Sequence, residues 1–182
     1  PFWGYSDLTT VINAIYTRTQ LPSFLYQIRN LVGDDAIEQI SRFKNSMLEG
    51  QKDLFDVSFK FLQGESLSGI VIGGNIRCLL KLAGTPYMPP FKDRILFLES
   101  YGGSVAQMVT YLNQLKQMGA FREVKGILLG TFSQMEAEGA QPSIEQLVMD
   151  VVDNKNLPIA KTSEVGHGSD AKCLIIGHEI RL

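Results

Sequence analysis

From Asp7 onward the apolar residues Leu8, Val11, Ile12 and Ile15 recur at helical spacing, with Asp7 in a first turn where a carboxylate suits the helix dipole. The preceding Pro1-Phe2-Trp3-Gly4 reads as the end of a buried strand running into a tight turn at Gly4-Tyr5-Ser6. A second helical pattern lies between Gly33 and Gly50, with Asp34 as N-cap and Ile37, Ile40, Phe43 and Met47 on one face. Asp53 to Gly64 alternates only in part. Gly69 to Asn75 reads as a buried strand closing on a glycine turn, with a short helix through Leu82.

Strand and helix then alternate: strand Arg94 to Leu98, helix Ser104 to Met118, strand Lys125 to Leu129, and helix Ser143 to Val152 with a Ser143/Gln146 capping box. Short strands at Pro158 to Lys161, Lys172 to Ile176 and His178 to Leu182 change the rhythm and predict a mixed sheet. The fold class is α/β: the remainder of an N-terminal α/β domain over 1–50, a linker over 51–64, and a C-terminal mixed-sheet α/β domain over 65–182. The chain opens without Met on an element already under way, so an upstream portion is expected.

Composition narrows the function classes. With 45% hydrophobic and 20% charged residues, the 182-residue chain can bury a core without staples. Seventeen Lys and Arg against nineteen Asp and Glu leave a net charge of −2, which argues against nucleic acid as a partner. Apolar runs such as Ile95 to Leu98 fall far short of the roughly 20 residues of a membrane helix. Cys78 and Cys173 lack the spacing of a zinc site or a disulfide framework, so reduced, structural cysteines, no metal and a cytoplasmic setting are expected.

Three residues carry candidate chemistry. Ser6 would stand at a strand-to-helix turn, with Gly4 allowing close approach and the Asp7 N–H facing a developing oxyanion. Spacing alone favours the plainer reading, a serine capping a helix. Of the two histidines, His167 lies in Gly166-His167-Gly168, a loop able to present the ring to a cleft, whereas His178 follows Ile176-Gly177 at a strand start. Glu99 ends the apolar run Ile95 to Leu98, at the carboxyl end of a strand where α/β proteins assemble sites. A strand-end carboxylate that merely meets water is the competing reading.

Six segments in order, Gly4-Tyr5-Ser6-Asp7-Leu8-Thr9, Gly73-Gly74-Asn75, Gly84 to Pro89, Ile95 to Glu99, Gly126 to Gly130 and Gly166-His167-Gly168, resemble the motif series of the LD-carboxypeptidase family. That family includes the microcin C self-immunity peptidases. The resemblance implies Ser6 as nucleophile, His167 as general base and Glu99 as its orienting carboxylate, acting without a cofactor on a murein-derived peptide. It also implies a homodimer, and an upstream glycine-rich segment that supplies a second oxyanion donor beside the Asp7 N–H.

After Glu99, where many relatives carry an acidic residue and an arginine-bearing stretch, the chain reads Ser100-Tyr101-Gly102-Gly103. Tyr101 is therefore a candidate pocket wall, and Asn75 a second substrate-adjacent residue whose position equally suits helix capping. Two rivals stand beside an L,D-carboxypeptidase: a microcin-immunity-type peptidase cleaving peptidyl-nucleotide carboxamides, and a catalytically silent scaffold that only binds.

Overall fold

A computed structural model describes residues 2–182, so Pro1 lies outside the described residues. The chain opens with β1 (Phe2–Gly4), a single 3-10 turn over Ser6–Leu8, α1 (Thr9–Thr19) and β2 (Ser23–Leu25). A second 3-10 turn over Ile28–Val32 leads to α2 (Ala36–Leu48), β3 (Lys60–Gln63), β4 (Ser68–Asn75) and α3 (Ile76–Leu80). Then come β5 (Arg94–Ser100), α4 (Val105–Gln117), α5 (Ala120–Glu123), β6 (Gly126–Phe132), α6 (Ser133–Ala137) and α7 (Ile144–Val152). The strands β7 (Ile159–Lys161), β8 (Leu174–Ile176) and β9 (Glu179–Arg181) complete the chain.

These elements form a mixed α/β fold with two sheets. The larger has six strands in the order β3-β7-β6-β5-β4-β9, with β4 to β7 parallel and both edge strands antiparallel. Its central strands read as unbroken apolar runs because both faces are covered: Ile95 to Leu98 and Ile127 to Leu129 are all sealed from water. The smaller has the order β1-β2-β8, with β1 parallel and β8 antiparallel to β2.

Sheet membership departs from chain order in two places. Residues 60–63, at the end of the stretch expected as a linker, are the edge strand β3 of the larger sheet. Residues 174–176, deep in the stretch expected as the C-terminal domain, close the small sheet as β8 before the chain returns at Gly177 to β9 beside β4.

Both early helices bury a different face from the one apolar spacing predicts. In α1 the buried residues are Thr9, Ile12, Asn13 and Tyr16, while Leu8 and Val11 face outward. The reason is a backbone approach: Asn13 accepts from the Gly73 N–H and donates to its carbonyl, and Thr9 Oγ1 accepts from the Asn75 N–H. That approach needs glycine in β4, for at Gly74, with φ +138°, a Cβ would fall 2.6 Å from Thr9 Oγ1. The glycines expected to turn the chain thus lie inside the strand.

In α2 the buried residue is Gln39, whereas Ile37 is 89% exposed. Gln39 accepts from the Tyr26 hydroxyl and donates to the Ser169 and Ala171 carbonyls, and these three bonds set the helix's rotation. Asp34 does not cap α2; Asp35 holds the N-cap position, with no side-chain cap bond. Ser143 caps α7 as expected, but Gln146 reaches forward to Asp150 instead of completing the box. The complete capping box belongs to α4, between Ser104 and Gln107.

Candidate active site

The site is assembled where the carboxyl ends of β4, β5 and β6 meet the turn that follows β1. Asn75 and Glu99 are register partners at the ends of β4 and β5, and Thr131 stands near the end of β6. Glu99 is fully buried. Parallel strands deliver their last side chains to one edge, which is why three separate segments converge there.

Ser6 has φ +52°, left-handed backbone that a non-glycine residue holds only when its surroundings impose it. The constraint comes from both sides. The Gly4 carbonyl accepts from the Tyr26 N–H within the small sheet, and the Leu8 N–H donates to Tyr5, starting the turn that enters α1. Oγ of Ser6 lies 3.4 Å from His167 Nε2. Asp7, the next residue, lies within the same 3-10 turn, immediately before α1.

His167 is held from three directions. Its backbone N–H donates to Thr131 Oγ1 at 3.3 Å, its Nδ1 lies 2.7 Å from Glu99 Oε2, and the carbonyl of Gly168, the next residue, accepts from Asn30 Nδ2 at 3.1 Å. Gly166 is required by the packing of this loop, since a Cβ there would fall 1.7 Å from Thr131 Oγ1. With Nδ1 directed at the carboxylate, a neutral ring presents the Nε2 lone pair to Ser6. The structure thus brings together Ser6, His167 and Glu99, predicted from sequence, into one hydrogen-bonded line.

Tyr5 is the member that sequence reasoning missed. Its hydroxyl donates to Glu99 Oε2 at 3.3 Å and stands 3.1 Å from His167 Nδ1, with its ring edge-on to the imidazole at 4.7 Å. Burial, and then the charge and hydrogen bond of Glu99, push the phenol well above its usual range, while Arg29 pulls the other way. Tyr5 therefore stays a neutral donor. Oε1 of Glu99 is buried with no hydrogen-bond partner among the described residues. A signal for Tyr5 lay in its place beside Ser6, but nothing in the sequence showed its hydroxyl turned toward Glu99.

The candidate substrate-adjacent residues both reach the cavity in front of Ser6, whose volume is about 790 Å³. The ring of Tyr101 lies 5.1 Å from that of His167, and its loop is pinned by Gln134, which receives the Gly103 N–H and donates its own N–H to the Tyr101 carbonyl. Asn75 does both of the things weighed for it: Oδ1 accepts from the Cys78 N–H to cap α3, and the residue lines the cavity.

Asp7 points its carboxylate away from Ser6, toward Cys78 Sγ at 3.1 Å, Lys81 at 3.3 Å and Arg77 at 3.4 Å. The Cys78 hydrogen bond, and then Lys81, hold its carboxyl below the usual range. Both cysteines are free and buried, and burial pushes both thiols up. Among the described residues no cluster of His, Cys, Asp and Glu could hold a metal ion, and no helix is long and apolar enough to cross a membrane.

Comparison with known proteins adds relatives to this geometry. A family described as the LD-carboxypeptidase C-terminal domain matches residues 68–182. Over 97% of its length the chain is 28% identical to a probable murein peptide carboxypeptidase of Bacillus subtilis (strain 168), covering 57% of that protein. Over 92% of its length it is 26% identical to the microcin C7 self-immunity protein MccF of Escherichia coli, covering 48% of it. The fold superposes on a solved structure of MccF in complex with glutamyl sulfamoyl guanosine with a TM-score of 0.82 and 20% identity, over 98% of this chain and 63% of that one. The chain thus spans roughly half to three-fifths of these relatives' lengths.

Proposed function

The chain belongs to the LD-carboxypeptidase family, and on that footing we propose that it carries the catalytic groups of a serine peptidase that releases the terminal D-residue of a murein-derived peptide. The observation that carries the proposal is the line from Ser6 Oγ through His167, 3.4 Å at Nε2 and 2.7 Å at Nδ1, to the buried carboxylate of Glu99. Such a line is what a hydroxyl needs to act as a nucleophile near neutral pH.

In this reading Ser6 Oγ attacks the carbonyl carbon of the last peptide bond as His167 Nε2 takes its proton. Glu99 holds the ring in the tautomer with hydrogen on Nδ1 and stabilises the imidazolium. The tetrahedral oxyanion accepts the Asp7 N–H. As the intermediate collapses, the C–N bond breaks, His167 returns the proton to the leaving amine, and the acyl group remains on Ser6. Water, activated by the same ring, then releases the acid. The similarity to a murein peptide carboxypeptidase over nearly the whole chain supports the substrate class.

A peptidyl-nucleotide substrate is the second reading. The exposed ring of Tyr101 and the ring of Tyr111 line the cavity, and either offers a face on which a base can stack. The test is hydrolysis by the full-length protein of a murein tetrapeptide against a peptidyl-nucleotide analogue, with Ser6→Ala and His167→Ala beside the unaltered protein. The tetrapeptide is expected to be preferred, and each substitution to lower its turnover by about 10³-fold or more without the two losses adding. Near-normal hydrolysis by Ser6→Ala would end the serine mechanism, and preference for the nucleotide would transfer the substrate to the second reading.

A further inference from the structure

The cavity in front of Ser6 has a marked charge asymmetry. Its lining includes Arg29 and Arg77 and, among the described residues, no Asp or Glu, although the chain as a whole is acidic. The two arginines differ. Arg77 is engaged with the Asp7 carboxylate at 3.4 Å. Arg29 makes no ion pair and no side-chain hydrogen bond among the described residues, yet it stands close enough to Tyr5 for its charge to act on the phenol.

The backbone that carries Arg29 is fixed to the histidine loop. Arg29 lies in the 3-10 turn Ile28–Val32, whose Asn30 is buried, accepts from Gln27 Nε2 at 2.6 Å and donates to the carbonyl of Gly168, the residue after His167. An arginine on an untethered surface loop would be unremarkable. Here the turn, the histidine loop and the nucleophile's turn share one cavity wall, and Arg29, the cation in it without a partner among the described residues, carries a planar fork of donors that suits a carboxylate.

We infer that Arg29 is the receptor for the free terminal carboxylate of the peptide, and so the residue that makes this site a carboxypeptidase's. The inference rests on the proposed function and deepens it. When Ser6 attacks the last peptide bond, the terminal carboxylate carbon is only three bonds from the attacked carbon, about 4 Å away. Its receptor must therefore lie in the same cavity as Ser6 and carry positive charge. Arg29 meets both conditions with its charge uncommitted, and Arg77 meets them with its charge shared with Asp7.

The experiment is a double-mutant cycle in which one mutation is made in the ligand. Binding of a murein tetrapeptide and of its C-terminal carboxamide is measured by calorimetry on the full-length Ser6→Ala protein, with and without Arg29→Gln, Arg29→Lys or Arg77→Gln. The Ser6→Ala background is expected to prefer the acid by about 10- to 100-fold, the range of a charge-assisted hydrogen-bond pair. Arg29→Gln should abolish the preference by weakening the acid and leaving the amide unchanged. Arg29→Lys should keep part of it, and Arg77→Gln should change it by less than about threefold.

Equal binding of acid and amide before any change at Arg29 would overturn the inference, as would a preference that survives Arg29→Gln. It would also be overturned if Arg29→Gln weakened adenosine monophosphate binding while leaving the acid preference intact. These readings concern binding alone. Failure of Ser6→Ala to stop hydrolysis is a different result and would strike the nucleophile, not Arg29.

Discussion

Around β5 four consecutive side chains, Ile95 to Leu98, are closed off from water, and almost every neighbour is aliphatic or aromatic. Around β2 the pattern is different. There Ser23 is buried, Trp3 stacks on Phe24 at 4.2 Å, and the helix that covers this side buries Gln39 while leaving Ile37 and Leu48 in solvent. The large sheet is held by apolar burial, which is non-directional. The small sheet shares that core on one face, through Leu25, Leu174 and Ile176, and on its other face is positioned by a few directed hydrogen bonds and ring contacts.

The difference has a functional consequence, because the candidate groups are divided between the two regions. Glu99 stands on the large sheet, Ser6 and Arg29 on turns of the small one, and the His167 loop is tied to both through Thr131 and Asn30. Damage to the large sheet should appear first as lost stability. Damage to the small one should appear first as misaligned chemistry.

The largest effect is expected in the large sheet. Leu96→Ala should cost about 2–5 kcal/mol in denaturant unfolding, since the emptied space is walled by strands on both sides. Gln39→Ala is expected to cost less, about 1–3 kcal/mol, because it strands the Tyr26 hydroxyl and two carbonyls. Amide exchange should then rise in the loop over residues 168–171 before it rises in β5. Equal acceleration in both places would remove the distinction between the two regions.

Tyr5→Phe keeps the ring against His167 and deletes the hydroxyl bond to Glu99. The account predicts a fall in kcat of about tenfold, which is about 1.4 kcal/mol of barrier, with KM little changed. A change confined to KM would place Tyr5 in substrate binding instead.

The smallest effect concerns an ionic cluster away from the site, where Lys161 bridges Glu136 and Glu145. Burial works against both charges, but the Lys161 hydrogen bond holds the Glu145 carboxyl below its ordinary value of 4.5, and its two carboxylate partners hold Lys161 above 10.5. The carboxylate's contribution is present above pH 4.5 and is lost as pH falls through the depressed folded value. The lysine's is complete below pH 10.5 and is lost as pH rises through the raised one. Discounted for solvent screening, each is about 1 kcal/mol at most. Lys161→Met should flatten both limbs of the stability profile while leaving hydrolysis unchanged.

Legibility in the sequence followed the same division. The strands at Arg94 to Leu98 and Lys125 to Leu129 and the helices after Ser104 and Ser143 were readable because apolar runs and caps encode them locally. Glu99 could be placed as the polar residue ending a buried strand, and His167 as the histidine between glycines. The small sheet was not readable in full. Its third strand comes from residues 174–176, and its helices bury Asn13 and Gln39 for partners far along the chain, at Gly73 and at Ser169 and Ala171. Periodicity records which residues are apolar, and a face chosen by long-range hydrogen bonds leaves no such record. Tyr5 and Arg29 escaped for the same reason.

The central claim is that Ser6 is a nucleophile made reactive by His167, and covalent capture tests it most directly. The full-length protein would be treated with a fluorophosphonate and the modified peptide identified by mass spectrometry. The account predicts a single adduct on Ser6, whose formation slows by about 10³-fold or more in His167→Ala and much less in Glu99→Gln. No adduct on Ser6 under conditions where the protein hydrolyses its substrate, or an adduct that forms at the same rate without His167, would contradict it.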